Sequence, residues 1–463
     1  MRLALVLALA VLHAGSAVAT DEDRDLDLIP RAAPPAAQAP AAPAPAFTGN
    51  ERVFVEDALG FTSLRDGLLV PFPPPLPPRW EERLFADARL QWPFGSSAFV
   101  AYSGRLNVVG AEGLGFPNRG NVTNDLRELY ASVEPRPRDY LDAGRINVKS
   151  GVALGFNPTD FFKTRTLIDQ TSLDPSVIRQ DRLGTVMLRG QRIWGRGSAS
   201  LAFAPKLDSP APISLSPQAG INPELGRTNA ANRLLLSVDY NVADLAPQGL
   251  LYVEDGQTRL GLNLSRQIGK SVVAYAEWAG GRQQTLSARA AAYGKDTGTL
   301  PPSTPVLPPS DTEARFRNDL AIGASWATTA RVTVNLEYHY HEAGFSRDDW
   351  RNWFAIGTAI PAAAGPLWYT RGYATAQQEP VTRHAVFLRA DWPDALVSHL
   401  ELSGFAFVNL YDGSVLTQLA ANYYVSRAWT VSAYVSASIG GAHSEYGSLP
   451  VASSAILQVA RYF

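Results

Sequence analysis

The sequence predicts an all-β protein, a transmembrane antiparallel β-barrel of about eighteen strands, with sixteen as the alternative count. Three observations support this fold class: apolar and polar residues alternate along many segments, short connections alternate with long ones, and tryptophans lie beside the short connections. Alternation with a period of two places apolar side chains on one face of a strand and polar side chains on the other. Beyond the N-terminal segment, no stretch approaches the roughly 18 consecutive apolar residues that a membrane-spanning helix requires.

The N-terminal 46 residues are not part of the predicted barrel. Arg2 precedes the apolar run LALVLALAVL and then the small residues AVA, which is the order of a cleavable secretory signal peptide, residues 1–19. Residues 20–46 are first acidic and then rich in Pro and Ala, a composition that cannot form a core and predicts a disordered periplasmic tether. The predicted barrel therefore occupies residues 47–463.

Composition excludes several classes of protein. The chain contains no cysteine, which excludes a lipid anchor on cysteine, a disulfide framework and thiolate metal sites. The net charge of -2 argues against a nucleic-acid partner, because nucleic-acid binders normally carry a basic surface. We find no nucleotide-binding or hydrolase motif in a suitable context, and we expect no cofactor and no enzymatic activity.

The segment RVTVNLEYHYHE, residues 331–342, shows the alternation clearly. Leu336 and Tyr338 share one face, and Glu337, His339 and His341 share the other. Two histidines and a glutamate on one face are the start of a metal site, which would need a further ligand and supporting contacts. A lumen-facing strand accepts polar residues without any such role, because water solvates the interior. We therefore expect a lumen wall here, and no metal.

The lengths of the connections favour a membrane barrel over a soluble sandwich. Tight turns are expected at the periplasmic end and long loops outside, and the predicted long loops are residues 151–183, 208–230, 287–313 and 344–381. Seventeen strands follow from residue 82 onwards, and ERVFVEDALGF, residues 51–61, is the predicted eighteenth. Tryptophans beside the short turns predict an interfacial girdle formed by Trp92, Trp194, Trp326, Trp392 and Trp429.

The chain ends in an alternating segment, AILQVARYF, whose last residue is Phe463. A terminal Phe after such a strand resembles the assembly signal of bacterial outer-membrane barrels. The resemblance implies an outer-membrane location, contact with outer-membrane lipid, and the barrel-assembly machinery as a partner. Leu457 and Val459 fit the signal, whereas Arg461 interrupts it.

Residues 142–162, DAGRINVKSGVALGFNPTDFF, form the most distinctive sequence motif in the chain. They resemble porin-like outer-membrane barrels related to alginate-export channels, in which a Gly-Arg strand leads through a Gly-containing loop to an Asn-Pro-x-Asp turn. The matching residues are Gly144, Arg145, Asn157, Pro158 and Asp160. The resemblance implies a barrel that passes solutes.

The loop of residues 151–183 is long for a segment without strong helix signals, which predicts a functional or inward-folded loop. Our hypothesis is that it folds into the lumen and narrows it, where guanidinium groups would bind carboxylate or phosphate oxygens. The alternative is a salt-bridged extracellular loop without contact to solute. The predicted constriction and solute-binding residues are Arg145, Asp160, Lys163, Arg165, Arg179, Arg182, Arg189 and Arg192.

These features together predict an outer-membrane channel for diffusion or export of hydrophilic solutes, with anionic solutes or polysaccharide as the expected class. The tether offers a contact for a periplasmic partner. Two alternatives remain open: a lipid-facing hydrolase that uses His384, and an adhesin or structural barrel with a plugged lumen. For His384, a place at the level of the lipid headgroups is the simpler interpretation.

Overall fold

The structure is a computed structural model, and it describes residues 51–113, 122–168, 170–213, 220–221, 223–242 and 245–463. The predicted signal peptide and tether lie outside the described residues. Within the described chain, no helix is long and apolar enough to cross a membrane.

Eighteen antiparallel strands form a closed barrel, because β19 pairs with both β18 and β1. The strand β8 has two residues, pairs parallel with β4 and stands outside the ring, in which β7 pairs with β9. The strands are β1 (Arg52–Leu64), β2 (Trp80–Phe94), β3 (Ala98–Ala111), β4 (Val122–Arg136), β5 (Asp139–Ile146), β6 (Thr185–Trp194), β7 (Gly197–Ala204), β8 (Gly220–Ile221), β9 (Arg233–Tyr240), β10 (Leu245–Glu254), β11 (Gln257–Ile268), β12 (Val272–Gln283), β13 (Arg315–Ala327), β14 (Thr333–His341), β15 (His384–Trp392), β16 (Leu400–Asn409), β17 (Val415–Ser426), β18 (Trp429–Ile439) and β19 (Val451–Tyr462).

The predicted fold class and the count of eighteen strands are confirmed, and the alternative of sixteen is wrong. The predicted eighteenth strand is β1, which pairs with β2 on one side and β19 on the other. Closure gives every strand of the ring two partners, so that no backbone edge of the ring faces lipid.

The two faces of the wall differ as the alternation predicts. Leu336 and Leu419 are 55% and 64% exposed on the outside, whereas the neighbouring Glu337 and Gln418 are 1% and 3% exposed on the inside. The outer face is therefore apolar and the inner face polar, which is the arrangement of a barrel in a bilayer.

The end of the barrel that carries the short turns also carries the tryptophan girdle. Trp92, Trp326 and Trp429 are exposed on the outer face there. Arg461, which interrupts the C-terminal pattern, places its guanidinium 5.4 Å from the centre of the Trp429 ring and 5.0 Å from that of Phe463. This cation–π contact fits an interface where apolar and charged groups meet.

The connections at the opposite end, which the predicted topology places outside the cell, contain helices that the sequence analysis did not predict. The helices are α1 (Pro175–Gln180), α2 (Leu225–Thr228), α3 (Leu286–Asp296), α4 (Arg347–Ala359) and α5 (Ala364–Gln377), with a 3-10 turn at Pro361–Ala363. We name α3, α4, α5 and the loops of residues 65–79 and 440–450 the extracellular cap. Its aromatic core surrounds Arg371, whose guanidinium lies 5.5, 5.2 and 4.7 Å from the ring centres of Trp350, Trp353 and Trp368.

Candidate constriction inside the barrel

The described residues of the connection between β5 and β6, 147–168 and 170–184, lie in the lumen, and we name them the inward segment. Their contacts reach strands that are far apart around the wall: Ala153 binds Glu277 on β12, and Ser172 binds Gln418 on β17. Arg389 on β15 binds Asp174 at 2.7 Å. The segment therefore crosses the interior, which is the geometry that the constriction hypothesis requires, whereas its contact with solute stays a prediction.

Two wall glutamates hold the start of the inward segment. The backbone N–H groups of Val152 and Ala153 donate to Oε1 of Glu277, the second at 2.5 Å. The N–H groups of Leu154 and Gly155 donate to the carboxylate of Glu337 at 2.6 and 2.9 Å. Four consecutive donors thus bind two carboxylates, and charge-assisted hydrogen bonds of this kind are stronger than neutral ones.

The two histidines of β14 face the lumen as predicted, but the expectation that water solvates them is wrong. His339 lies 2.8 Å from Glu337, and His341 lies 2.7 Å from Asp319. The Phe156 ring packs edge-on against both imidazoles, with centroid distances of 5.8 and 6.0 Å, so the inward segment excludes water from them. No group of three acidic or histidine side chains among the described residues could hold a metal ion.

The predicted charged residues of the inward segment bind mainly the segment itself. Arg182 donates to both oxygens of Asp160, at 2.8 and 3.0 Å. Lys163 donates to the carbonyl oxygen of Asn157 at 2.7 Å, and Arg179 donates to that of Ser150 at 2.7 Å. These cations stabilise the shape of the segment, because each has an internal acceptor.

Arg145 and Arg165 connect the segment to its surroundings. Arg145 on β5 donates to the carbonyl oxygens of Gly184, at 2.9 Å, and of Pro223. The backbone N–H of Arg165 donates to Ala376 in α5 at 2.6 Å, and its guanidinium lies 5.2 Å from the centre of the Tyr293 ring in α3. The inward segment is therefore attached to the extracellular cap.

Arg189 and Arg192 stand apart from the other predicted residues. They lie on β6 near the turn to β7, and they pair with Asp142 at 2.7 Å and Asp139 at 3.4 Å. The side chain of Arg192 is 70% exposed. The eight residues are thus not gathered into one ring.

The motif residues shape the segment and its wall. Gly144 has φ +134°, and an added Cβ would meet the backbone oxygen of Leu129 at 2.3 Å, so glycine is required there. Asn157 donates to Glu277 at 3.1 Å, and Pro158 is buried.

The structure also reveals a cluster that the sequence analysis missed. Arg105 and Arg127 each bind both Asp87 and Asp181, at distances of 2.7 to 3.4 Å. Asp181 also interacts electrostatically with Arg52 and Arg89, which are directly paired in the register of β1 and β2. We name the four arginines the arginine patch: Arg52, Arg89, Arg105 and Arg127. Arginines at inward positions of four neighbouring strands were the signal available in the sequence.

A closed eighteen-strand barrel with a polar inner face and an inward segment defines a porin-like β-barrel. Among solved structures, the chain is similar to Pseudomonas aeruginosa OccK5 (OpdH), with a TM-score of 0.52 and 9% identity over 89% of this chain and 97% of that chain. It is also similar to Pseudomonas aeruginosa OccK11 (OpdR), with a TM-score of 0.48 and 10% identity over 89% and 95% of the two chains.

A mutant form of the Rh. blastica porin gives a TM-score of 0.39 and 8% identity over 89% of this chain and 99% of that chain. No family model and no curated protein matches the chain. At these identities the likeness shows the fold, and nothing in it ties the chain to alginate-export channels.

Proposed function

We propose that this protein is an outer-membrane channel of a Gram-negative bacterium through which hydrophilic solutes diffuse, with a preference for anions. A barrel of 16 to 18 strands is wide enough for an aqueous channel, and its inner face here is polar. The observation that carries the proposal is the inward segment, which starts and ends at β5 and β6 and is bound to the distant strands β12, β15 and β17. Solutes move down their own gradient, so the proposal includes no enzymatic step and no cofactor.

The arginine patch supports the anion preference. Asp87 and Asp181 are each shared by Arg105 and Arg127, and Glu56 interacts with Arg105, so three carboxylates meet the four arginines of the patch. Guanidinium groups match carboxylate and phosphate oxygens in a fork geometry. The same chemistry would serve carboxylates of a polyanionic polysaccharide.

Single-channel recording in a planar bilayer with a salt gradient tests this proposal. The double variant Arg52→Gln and Arg89→Gln removes two positive charges from the lumen, and we expect its reversal potential to shift toward cation selectivity. Arg266→Gln is the matched control, because Arg266 is exposed on the outer face near a short turn. Equal reversal potentials for the native protein and the double variant would overturn the anion preference.

A plugged barrel with an adhesive or structural role is the second candidate. The buried contacts of the inward segment and the aromatic core of the extracellular cap favour it. The same recording distinguishes the open channel from the plugged barrel. A protein that is folded, as shown by native heat-modifiable gel mobility, and that inserts into the bilayer without carrying current would support the plugged barrel. A periplasmic partner of the tether and recognition of Phe463 by the assembly machinery stay predictions.

A further inference from the structure

A group of aromatic and basic side chains lies on the outer face of the barrel, where β14 ends and β15 begins at the extracellular side. We name it the rim cluster. Its members are Tyr338, Tyr340, Arg347, Arg383, His384 and Tyr411. None of them belongs to the lumen or to the constriction.

Aromatic contacts hold the rim cluster together. Nδ1 of His384 lies 2.7 Å from the hydroxyl oxygen of Tyr338. The ring centres of Tyr340 and Tyr411 lie 5.3 and 5.5 Å from that of His384. The result is a set of adjoining, partly exposed ring faces with polar edges, which suits the apolar face of a sugar ring as well as the headgroup level of a bilayer.

Two guanidinium groups flank these rings. Arg347 is exposed, and its guanidinium lies 5.3 Å from the centre of the Tyr411 ring. Arg383 interacts electrostatically with Tyr340, His384 and Tyr411. Among the described residues, Arg347 has no ion-pair partner, whereas Arg383 donates to the carbonyl oxygen of Gly344 at 3.2 Å.

Carboxylates close to the rim cluster are engaged by other groups. Glu342 accepts hydrogen bonds from the backbone and the side chain of Asn318 at 2.8 and 3.0 Å. Asp349 caps α4 through Ser346, at 2.6 Å from its hydroxyl, and Asp348 lies 3.5 Å from Arg351. These carboxylates therefore do not neutralise the guanidinium of Arg347, whose described contact is with the Tyr411 ring.

Below the rim cluster, the outer face is apolar. Leu336 and Leu388 are directly opposed in the register of β14 and β15, and they are 55% and 44% exposed. Leu410, whose N–H donates to the carbonyl oxygen of His384 at 3.2 Å, adds an apolar side chain at the level of the rim cluster and is 46% exposed. Basic groups therefore stand directly above a surface that fits acyl chains, which is the arrangement of the boundary between headgroups and hydrocarbon.

We propose that the rim cluster binds the phosphorylated headgroup of an outer-leaflet glycolipid. Arg347 and Arg383 bind the phosphate, the rings of Tyr340 and Tyr411 contact the sugar, and the acyl chains lie along the leucines below. Arginine is suited to this role because its fork of donors matches phosphate oxygens. The proposal depends on the barrel being in the outer membrane and not on conduction through it.

Native mass spectrometry of the full chain in phosphatidylcholine nanodiscs doped with bisphosphorylated lipid A tests the proposal. We expect the native protein to retain lipid A, and the double variant Arg347→Gln and Arg383→Gln to lose affinity by about thirtyfold, since each basic side chain near a membrane surface contributes about 1 kcal/mol. Arg351→Gln, one turn further along α4, is the matched control and should retain lipid A. Native heat-modifiable gel mobility of each variant confirms folding, and Arg347→Gln alone provides a milder change at an exposed position.

Competition identifies the headgroup. Excess inorganic phosphate should leave lipid A bound, because it lacks the acyl chains and the sugar. Equal retention of lipid A by the native protein and the double variant would overturn the proposal. Displacement by phosphatidylglycerol as readily as by lipid A would overturn the assignment to a glycolipid.

Discussion

Arg182 donates two hydrogen bonds to Asp160 inside the barrel, at 2.8 and 3.0 Å, and both side chains are almost fully buried. Arg182 also binds Asn147 at 2.8 Å, so this one guanidinium connects the start of the inward segment to its middle. The pair closes the segment on itself, and we expect its loss to disturb the shape of the segment.

We expect Asp160→Asn to loosen the inward segment. Removal of one partner from a buried ion pair costs about 3 to 5 kcal/mol, because the remaining charge stays buried. Amide hydrogen exchange in the inward segment should accelerate, and single-channel current should become noisier. Arg192→Gln is the control, since the exposed pair of Arg192 and Asp139 should contribute less than about 1 kcal/mol. Unchanged exchange in Asp160→Asn would show that the pair does not hold the segment.

Gly144→Ala should destabilise the barrel at β5. The residue has φ +134°, and its new Cβ would meet the oxygen of Leu129 at 2.3 Å, so strain of about 1 to 3 kcal/mol is expected. Gly190→Ala on β6 is the matched control, because nothing lies within 4 Å of a Cβ there. Thermal unfolding followed by gel mobility should separate the two variants. Equal unfolding temperatures would contradict the strain argument.

Glu277 and Glu337 should act on separate parts of the inward segment. Glu277→Ala removes the acceptor of the Val152 and Ala153 amides, and Glu337→Ala removes that of the Leu154 and Gly155 amides. A hydrogen bond to a charged group contributes about 1.5 to 3 kcal/mol, so exchange of the affected amides should rise by at least about tenfold. Each variant serves as the control for the other. Equal acceleration of all four amides in both variants would mean that the segment opens as one unit.

Stability of the extracellular cap should depend on pH through Glu445. Burial raises the pKa of this carboxyl to about 7, against the opposing effects of Arg371 and of a 2.6 Å hydrogen bond from Asn409. Because the folded pKa exceeds the ordinary value of 4.5, the stabilisation is complete below about pH 4.5 and is lost as the pH rises through 7. The difference between these two pKa values of Glu445 corresponds to a change on the order of 3 kcal/mol in the free energy of unfolding.

Glu445→Gln should therefore stabilise the cap relative to the native chain at about pH 8, with little difference at about pH 4. The stability of the cap at each pH is measured by hydrogen exchange of the amides in α4 and α5, corrected for the intrinsic exchange rate at that pH. Glu313→Gln, at an exposed carboxylate of another extracellular loop, is the control and should show no such trend. A stabilisation that is the same at both pH values would refute the role of the carboxyl.

Much of the wall was predictable because a strand imposes a period of two on its side chains. The alternation of residues 331–342 placed Leu336 outside and His339 inside, and both assignments are confirmed. ERVFVEDALGF was identified as a strand from the same signal and is part of β1. The helix α4 could also have been found, since Ser346 and Asp349 form a capping box that is visible in the sequence.

The sequence by itself determined the fold class and, for the alternating segments, the side of the wall on which each residue lies, because these follow from local periodicity and the lengths of connections. The choice of eighteen strands over sixteen came from the structure, in which β1 pairs with β2 and β19. Tertiary structure alone decided which charges meet. Arg182 with Asp160, His341 with Asp319, and the arginine patch around Asp181 are pairings between residues that are distant along the chain. Such pairings depend on the closure of the barrel and on the path of the inward segment through it, and no local pattern encodes either.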